Sequence, residues 1–480
     1  MEYSIVILKK DYKTIRRHLL KDRTKEQMVI LLCGVSKTNN ETRLLAKHII
    51  TLPNDAFAYQ SSGGLHLKQE IQQHILQLAK KENLSQVDIH THPGASSHID
   101  FSGIDDFNEK KLVSYLKRKM PGTYFASVVM NEKSIKARVW IDECHEQEIK
   151  KIKVGLDNAL AISNAEDKQK NNLEMFDRQV RAFGRELQKK LGALKVGVVG
   201  VGGFAILTEI ITRLGIRNLV IIDNDIIEIS NLNRIVAASL EDAKNQTPKV
   251  EVAKRNILAI DPKAEVTALQ KSVFDKETAE HLKSCDLIIV ATDNHSSRLY
   301  INKLCNQYLI PLIHLGVNID VNKRNKITDI SGEFVIIEPG QGWCLQCNRI
   351  INPQTASWEM ASDFEKDNLA NRGYIKDIPS PAVYHLNATI ASITCSEIHN
   401  FVWPYKPLRK YLSYDLLKSE LMEIKVKANK KCPVCSSNGA LGLGDLSLLP
   451  DFNRKPKIPS NIHPAEPVAD QSGLGKQKGR

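Results

Sequence analysis

Two imidazoles and a carboxylate crowd into one short stretch of this chain, in His90-Thr-His92-Pro93 and Ser102-Gly-Ile-Asp105. His90, His92 and Asp105 together make a three-ligand zinc set, and three protein ligands leave a fourth position for water, as a catalytic site requires. Zinc bound there lowers the pKa of its water to about 7 and so supplies hydroxide at neutral pH. A general base must still take and relay the proton. Glu26, just ahead of the apolar run MVILLCG, is preferred for that task over Glu41 and Glu70. Ser102 is a candidate donor to the developing oxyanion, and His98 reads as a solvated loop residue. A lone H-x-H would read as ordinary strand residues, but Pro93, Ser102, Asp105 and an upstream Glu shift the balance to metal.

A second set begins at Gly200-Val-Gly202-Gly203, which follows an apolar strand and opens a helical pattern. That context lets backbone N–H groups and a helix N-terminus face an anion. Asp223, at the end of the next apolar run, is placed for a ribose hydroxyl. A nicotinamide dinucleotide would suit these residues equally well. Asp225, Asn231, Asn233, Arg234, Lys249 and Asp293 break the tie, because a triphosphate attacked at its α-phosphorus needs cations and a carboxylate that holds magnesium. Taken singly, Asp293 could merely cap a helix and Arg234 could be a surface charge. ATP with Mg2+ is therefore the expected cofactor.

A third set is Cys344-Leu-Gln-Cys347 with Cys432-Pro-Val-Cys435. Four thiolates close a tetrahedral zinc site without an open position, so this second Zn2+ is expected to be structural. The stretch Asn348–Pro379 holds no cysteine, and Cys395 sits in an apolar helical run, so a self-thioester step is not expected. Cys33, Cys144, Cys285 and Cys305 read as core thiols.

The elements that must position these groups fall into two rhythms. Over 1–145, short β-branched runs (Ser4–Leu8, Met28–Cys33, Val87–His90, Ser127–Val129, Ala137–Ile141) alternate with helical patterns at Leu67–Lys81 and Asp105–Lys119, which makes an α+β domain. Residues 146–173 are charged and read as a helical linker. From 174 to 436 the order strand, glycine turn, helix, strand predicts a doubly wound parallel α/β sheet with ligands at the carboxyl ends of its strands. Residues 437–480, rich in Pro, Gly, Ser and Asn, read as a disordered tail.

A length of 480 residues fits more than one core. The net charge of +12 comes without long basic blocks, so a solvated surface is expected and no nucleic acid. No apolar stretch reads as a membrane span. Nine cysteines without a secretory signal point to a reducing compartment, by default the cytoplasm.

On His90-x-His92-Pro93, Ser102-x-x-Asp105 and the distant Glu26, the N-terminal region resembles the JAMM/MPN metalloproteases, though the stretch from His92 to Ser102 is longer than that family's common spacing. The resemblance implies hydrolysis of bonds after the C-terminal glycine of ubiquitin-like proteins, with His90, His92 and Asp105 on zinc and Glu26 as acid/base. On G-x-G-G, D-x-D…N-L-x-R, P-K and T-D-N, residues 174–436 resemble the ThiF, MoeB and HesA type of ubiquitin-activating-enzyme-like protein, with a Rossmann-like fold. It implies that Asp223 binds ribose, that Asn231, Arg234 and Lys249 bind phosphate and that Asp293 holds magnesium. FDRQVRAFG resembles that family's arginine-finger segment, with Met175 in place of its first Arg. Arg178 would then reach the neighbouring subunit's ATP, which implies a homodimer. The combined expectation is a two-enzyme fusion acting on one ubiquitin-like protein, together with a conjugating or sulfur-transfer partner. The other expectation is adenylation of a sulfur carrier or short peptide, with the first domain a non-catalytic binding module.

Overall fold

The computed structural model of the chain describes residues 1–94, 99–159, 174–322, 324–360 and 382–450. His98, the linker beyond 159 and the tail beyond 450 lie outside these. Among the described residues no helix is long and apolar enough to cross a membrane.

The N-terminal unit contains β1 (Glu2–Ile7), α1 (Lys9–Leu19), β2 (Met28–Lys37), β3 (Glu41–Thr51), β4 (Phe57–Ser61), β5 (Gly64–Leu67), α2 (Gln69–Glu82), β6 (Ser85–Thr91), α3 (Gly103–Lys119), β7 (Phe125–Met130) and β8 (Ile135–Trp140). Three short strands follow, β9 (Glu146–Glu148), β10 (Lys151–Val154) and β11 (Asp157–Asn158). All but the β4–β5 hairpin join one sheet in the order β11-β10-β1-β3-β2-β6-β7-β8-β9. Strand β2 is apolar from Met28 to Val35 because both its faces are covered: Val29 and Leu31 enter one core, Met28, Ile30 and Leu32 the other.

Residues 146–158 correct the helical-linker expectation. Strand β10 pairs in parallel with β1, from Ser4 opposite Lys151 to Ile7 opposite Val154. The alternation Lys-Ile-Lys-Val, with Ile152 and Val154 buried, is a strand period that the surrounding charge obscures.

The second unit comprises α4 (Asp177–Phe183), α5 (Arg185–Ala193), β12 (Lys195–Val199), α6 (Ala205–Leu214), β13 (Asn218–Ile222), α7 (Leu240–Lys244), α8 (Lys249–Ile260), β14 (Glu265–Leu269), α9 (Lys276–Lys283), β15 (Leu287–Val290) and α10 (His295–Gln307). It continues with β16 (Leu312–Val321), β17 (Ile327–Ile337), α11 (Pro353–Glu359), α12 (Tyr384–Val402), β18 (Tyr411–Asp415) and β19 (Glu420–Glu423). The sheet order is β14-β13-β12-β15-β16-β17-β18-β19. Strands β12 to β16 pair in parallel, as expected, whereas β17 to β19 add an antiparallel extension. The chain leaves β12 toward β13 and β14, then returns to place β15 on β12's other side. That reversal opens a crevice at the carboxyl ends of β12 and β15.

Residues 437–450 are built into the fold, against the expected tail. Gly34 and Gly444 let two backbones touch: a Cβ on Gly34 would lie 2.2 Å from the Gly442 carbonyl oxygen, and one on Gly444 equally close to that of Val35. Val35 and Gly444 form a parallel bridge. The Asp445 carboxylate then accepts from the Lys37 N–H (2.6 Å), the Tyr308 hydroxyl (2.7 Å) and Lys283 Nζ (3.0 Å). The segment thus clasps the two units together. Asp445→Ala leaves the Tyr308 hydroxyl without its acceptor, an effect of about 1–3 kcal/mol. The expected outcome is a thermal midpoint lowered by a few degrees in scanning fluorimetry, and an unchanged midpoint would show that the clasp adds no stability.

Candidate functional sites

Antiparallel pairing of β2 with β6 sets Met28 opposite His90, so Glu26, two residues earlier, arrives at the same end of the sheet. The Glu26 N–H donates to the Ser61 carbonyl at 2.7 Å, and Gln60 Nε2 donates to the Glu26 carbonyl, which fixes its backbone against the β4–β5 hairpin. Asp105 comes from the first turn of α3. His90 Nε2 lies 3.2 Å from His92 Nε2 and 3.3 Å from Asp105 Oδ1, and His92 Nε2 lies 3.4 Å from Asp105 Oδ2. Ligands on a tetrahedral ion with ~2.0–2.1 Å arms stand roughly 3.3 Å apart, so these atoms match a zinc site. Glu26 Oε1 is 4.0 Å from His92 Nε2. Burial pushes the Glu26 carboxyl above its usual range, the direction a proton-relaying group needs. Burial also acts on Asp105, but hydrogen bonds from His90 and His92 outweigh it and hold this carboxyl far below the usual range.

Ser102, the expected oxyanion donor, is engaged locally with Asp105. Its hydroxyl gives its one proton to Asp105 Oδ2 at 2.7 Å and accepts from the Asp105 N–H, a capping box that starts α3 and aims the ligand. Glu109, one turn on from Asp105, escaped the sequence reading. Its carboxylate accepts from Ser127 (2.8 Å), Arg138 Nε (3.0 Å) and Trp140 Nε1 (2.6 Å), and so locks α3 onto the sheet. The i, i+4 spacing of two acids on one helix face was its only signal.

The glycine loop follows β12. Gly200 has φ +88°, and a Cβ there would stand 2.9 Å from the Ala291 carbonyl oxygen, so the loops after β12 and β15 touch. Asp223 braces the loop by accepting from the Val201 N–H at 2.8 Å and the Asp225 N–H at 3.0 Å. Burial raises its pKa, while Lys249 works against that rise. Lys249 Nζ donates to Asp225 at 2.6 Å, and it lies 3.7 Å from where a Cβ on Gly202 would be. Gly200, Gly202, Gly203, Asp223, Asp225 and Lys249 are therefore brought together.

Asn231 and Arg234 are engaged locally. Asn231 Oδ1 accepts from the Glu228 N–H at 3.3 Å, and Arg234 donates to the Ser230 carbonyl at 2.7 Å and to Asn233. Asp293 is exposed just past β15, and Asn294, not Asp293, caps α10 by accepting from the Ser297 N–H. Arg178 lies on the exposed side of α4, whose Gln179 donates to the Arg213 carbonyl at the C-terminal end of α6. That end is roughly 15 Å along the helix from the glycine loop, so Arg178 does not join the cluster around this chain's own glycine loop.

Two residues beside Asp293 were not foreseen. Arg298 donates twice to the Thr292 carbonyl, at 3.0 and 2.7 Å, and Glu359 from α11 accepts the His295 and Ser296 N–H groups at 3.0 and 2.7 Å. Both fasten the turn that carries Asp293. Glu359 left no signal in the sequence, because its partners lie 63 and 64 residues away.

Cys344, Cys347, Cys432 and Cys435 converge, with Sγ separations of 3.6 to 3.9 Å between neighbours. That is too long for a disulfide and is the edge of a tetrahedron with ~2.3 Å zinc–sulfur bonds. Cys33, Cys285, Cys305 and Cys395 are buried, whereas Cys144 is exposed in the turn before β9, which corrects its reading as core.

The sequence model of the ThiF family matches residues 176–434, more than half of the chain. The chain belongs to the ThiF family. This ThiF-family chain is 29% identical over 183 residues to SUMO-activating enzyme subunit 2 of Dictyostelium discoideum, covering 38% of itself and 26% of that protein. It is 25% identical over 266 residues to the SAMP-activating enzyme E1 of Haloferax volcanii, covering 55% of itself and 88% of the relative. Identity to ubiquitin-like modifier-activating enzyme 5 of Gallus gallus is 22% over 257 residues, with 51% and 59% covered. The chain thus spans about a quarter and three-fifths of the first and third of these relatives. Among solved structures, E. coli MccB with AMPCPP and MccA is similar at 22% identity, 56% and 75% coverage and a TM-score of 0.43.

Both metal clusters make a direct prediction. Elemental analysis of the purified chain should give two zinc ions per molecule, falling to one in His90→Ala and to one in Cys344→Ser. Only the cysteine variant should also lose thermal stability, because a closed structural site contributes to folding.

Proposed function

We propose that this ThiF-family chain is an ATP-dependent enzyme that adenylates the C-terminal carboxylate of a ubiquitin-like protein. The convergence of the glycine loop, Asp223, Lys249 and the Asp293 turn at the β12/β15 crevice carries this reading, and the family match supports it. The substrate carboxylate attacks the α-phosphorus of ATP, forming the acyl-phosphate bond as the bond to the β-phosphate breaks and pyrophosphate leaves. Asp223 holds ribose, and Lys249, with Arg234 and Asn231 swung from their local partners, orients phosphate oxygens. Asp293 would hold magnesium, which neutralises the leaving pyrophosphate. Arg178 acts on the nucleotide of a second copy, so the working form is a homodimer, and the activated acyl group passes to a conjugating or sulfur-transfer partner.

We further propose that the N-terminal unit is a JAMM-type zinc hydrolase that cuts peptide or isopeptide bonds after the same partner's terminal glycine. The facing of His90, His92 and Asp105, with Glu26 beside them, supports it. Zinc held there would supply an acidified water and polarise the scissile carbonyl. Glu26 takes the proton from that water as it adds to the carbonyl, and returns it to the departing amine when the C–N bond breaks. Carrying both sites on one chain raises their effective concentration for a shared substrate.

The test is ATP–pyrophosphate exchange with a ubiquitin-like protein ending in glycine, and cleavage of the same protein carrying a C-terminal extension. Asp293→Ala should lower exchange by about 10²–10³ and leave cleavage intact, and Glu26→Ala should do the reverse. Exchange that responds only to a short peptide would replace the ubiquitin-like partner. Absence of cleavage by the zinc-loaded wild type would make the first unit a binding module.

A further inference from the structure

Helix α12 buries several polar side chains, Asn387, Thr394, Glu397, His399 and Asn400, and of these Asn387 is the one that donates to the Gly203 carbonyl of the glycine loop. Leu386, Ile390, Ala391, Cys395 and Ile398 of the same helix enter the core shared with β12, β16 and β17. The helix seats closely, since a Cβ on Gly332 of β17 would stand 2.3 Å from Ile390 Cγ1. One turn before Ile390, on the same face, stands Asn387, only 1% exposed. Its Nδ2 donates to the Gly203 carbonyl at 2.9 Å, and its Oδ1 is buried with no partner among the described residues. The approach is close enough to require glycine: a Cβ on Gly203 would lie 2.7 Å from Asn387 Nδ2.

A trans peptide points its carbonyl and its N–H in opposite directions. Anchoring the Gly203 carbonyl on α12 therefore turns the Phe204 N–H to the other side of the loop. That N–H lies just ahead of α6, among the helix-start groups without an intrahelical partner, the kind that binds phosphate. With glycine at 202 and 203 this peptide can rotate at little steric cost, so some outside contact must choose its orientation. Asn387 is the contact that does so.

We infer that Asn387 is a positioning residue for the nucleotide: it orients the Gly203–Phe204 peptide so that the Phe204 N–H is presented to an ATP phosphate. The inference rests on the adenylating reading above. Asn387 itself touches no phosphate, and its orphaned Oδ1 is a standing cost to stability. A residue kept for packing would show the opposite balance.

The test uses the full chain with Asn387→Leu, which matches the amide in size and suits its apolar neighbours, and Asn387→Asp, which sets a carboxylate against the Gly203 carbonyl. Affinity for the magnesium complex of a non-hydrolysable ATP analogue is read by calorimetry, and thermal midpoint by scanning fluorimetry. The expected result is nucleotide binding weakened about tenfold in both variants, with the midpoint of Asn387→Leu equal to or above wild type. Unchanged affinity in Asn387→Leu overturns the inference alone. A midpoint that falls in step with affinity in both variants also overturns it, because Asn387 would then be structural. Failure of the wild type to bind the analogue overturns the adenylating reading and this inference with it.

Discussion

Pairing of β12 with β15 is the constraint on which the rest of the second unit depends. Because β15 lies beside β12 from Val196 opposite Leu287 to Val199 opposite Val290, the loops that leave these two strands must diverge to opposite sides of the sheet. The crevice between them is therefore a product of strand order and not of any one side chain. The contact of Gly200 with Ala291 holds its floor closed. Asp223, reaching back from β13 to the Val201 N–H, keeps the loop from sagging into the space.

The two units are joined by more than a chain crossing. Arg43 of β3 donates to the carbonyls of Lys283 and Ser284 at the end of α9, and Lys153 of β10 pairs with Asp286 just before β15. Val6 and Leu45 of the first unit lie in the same apolar cluster as Val290, Ile301 and Leu304 of the second. The clasp at 437–450 follows directly on the second cysteine pair, so the segment that grips β2 is tethered at its start by the four-cysteine cluster. Such a seam lets one domain's stability depend on the other's.

Much of the clustering of the candidate site residues was legible in the sequence, because ligand types and short spacings are local properties. His90, His92 and Asp105 stand within one strand–turn–helix step, each C-x-x-C pair within four residues, and the glycine loop and Asp223 within one strand–helix–strand step. What stayed hidden depended on distant partners. Lys151–Val154 is too short and too charged to announce a strand until β1 offers it an edge. Residues 437–450 have the composition of a tail, and only Gly34, more than 400 positions earlier, gives their glycines a backbone to lie against.

The sequence by itself determined which metal-ligand and glycine-loop residue types stand close together along the chain, and that an α+β rhythm is followed by an α/β one, since these rest on side-chain chemistry and on periods of a few residues. Tertiary structure decided how those groups are spent. It brought Glu359 to the Asp293 turn and Asn387 to Gly203. The physical reason is that a hydrogen bond between residues about 60 to 180 positions apart exists only once the sheet order has closed the distance between them.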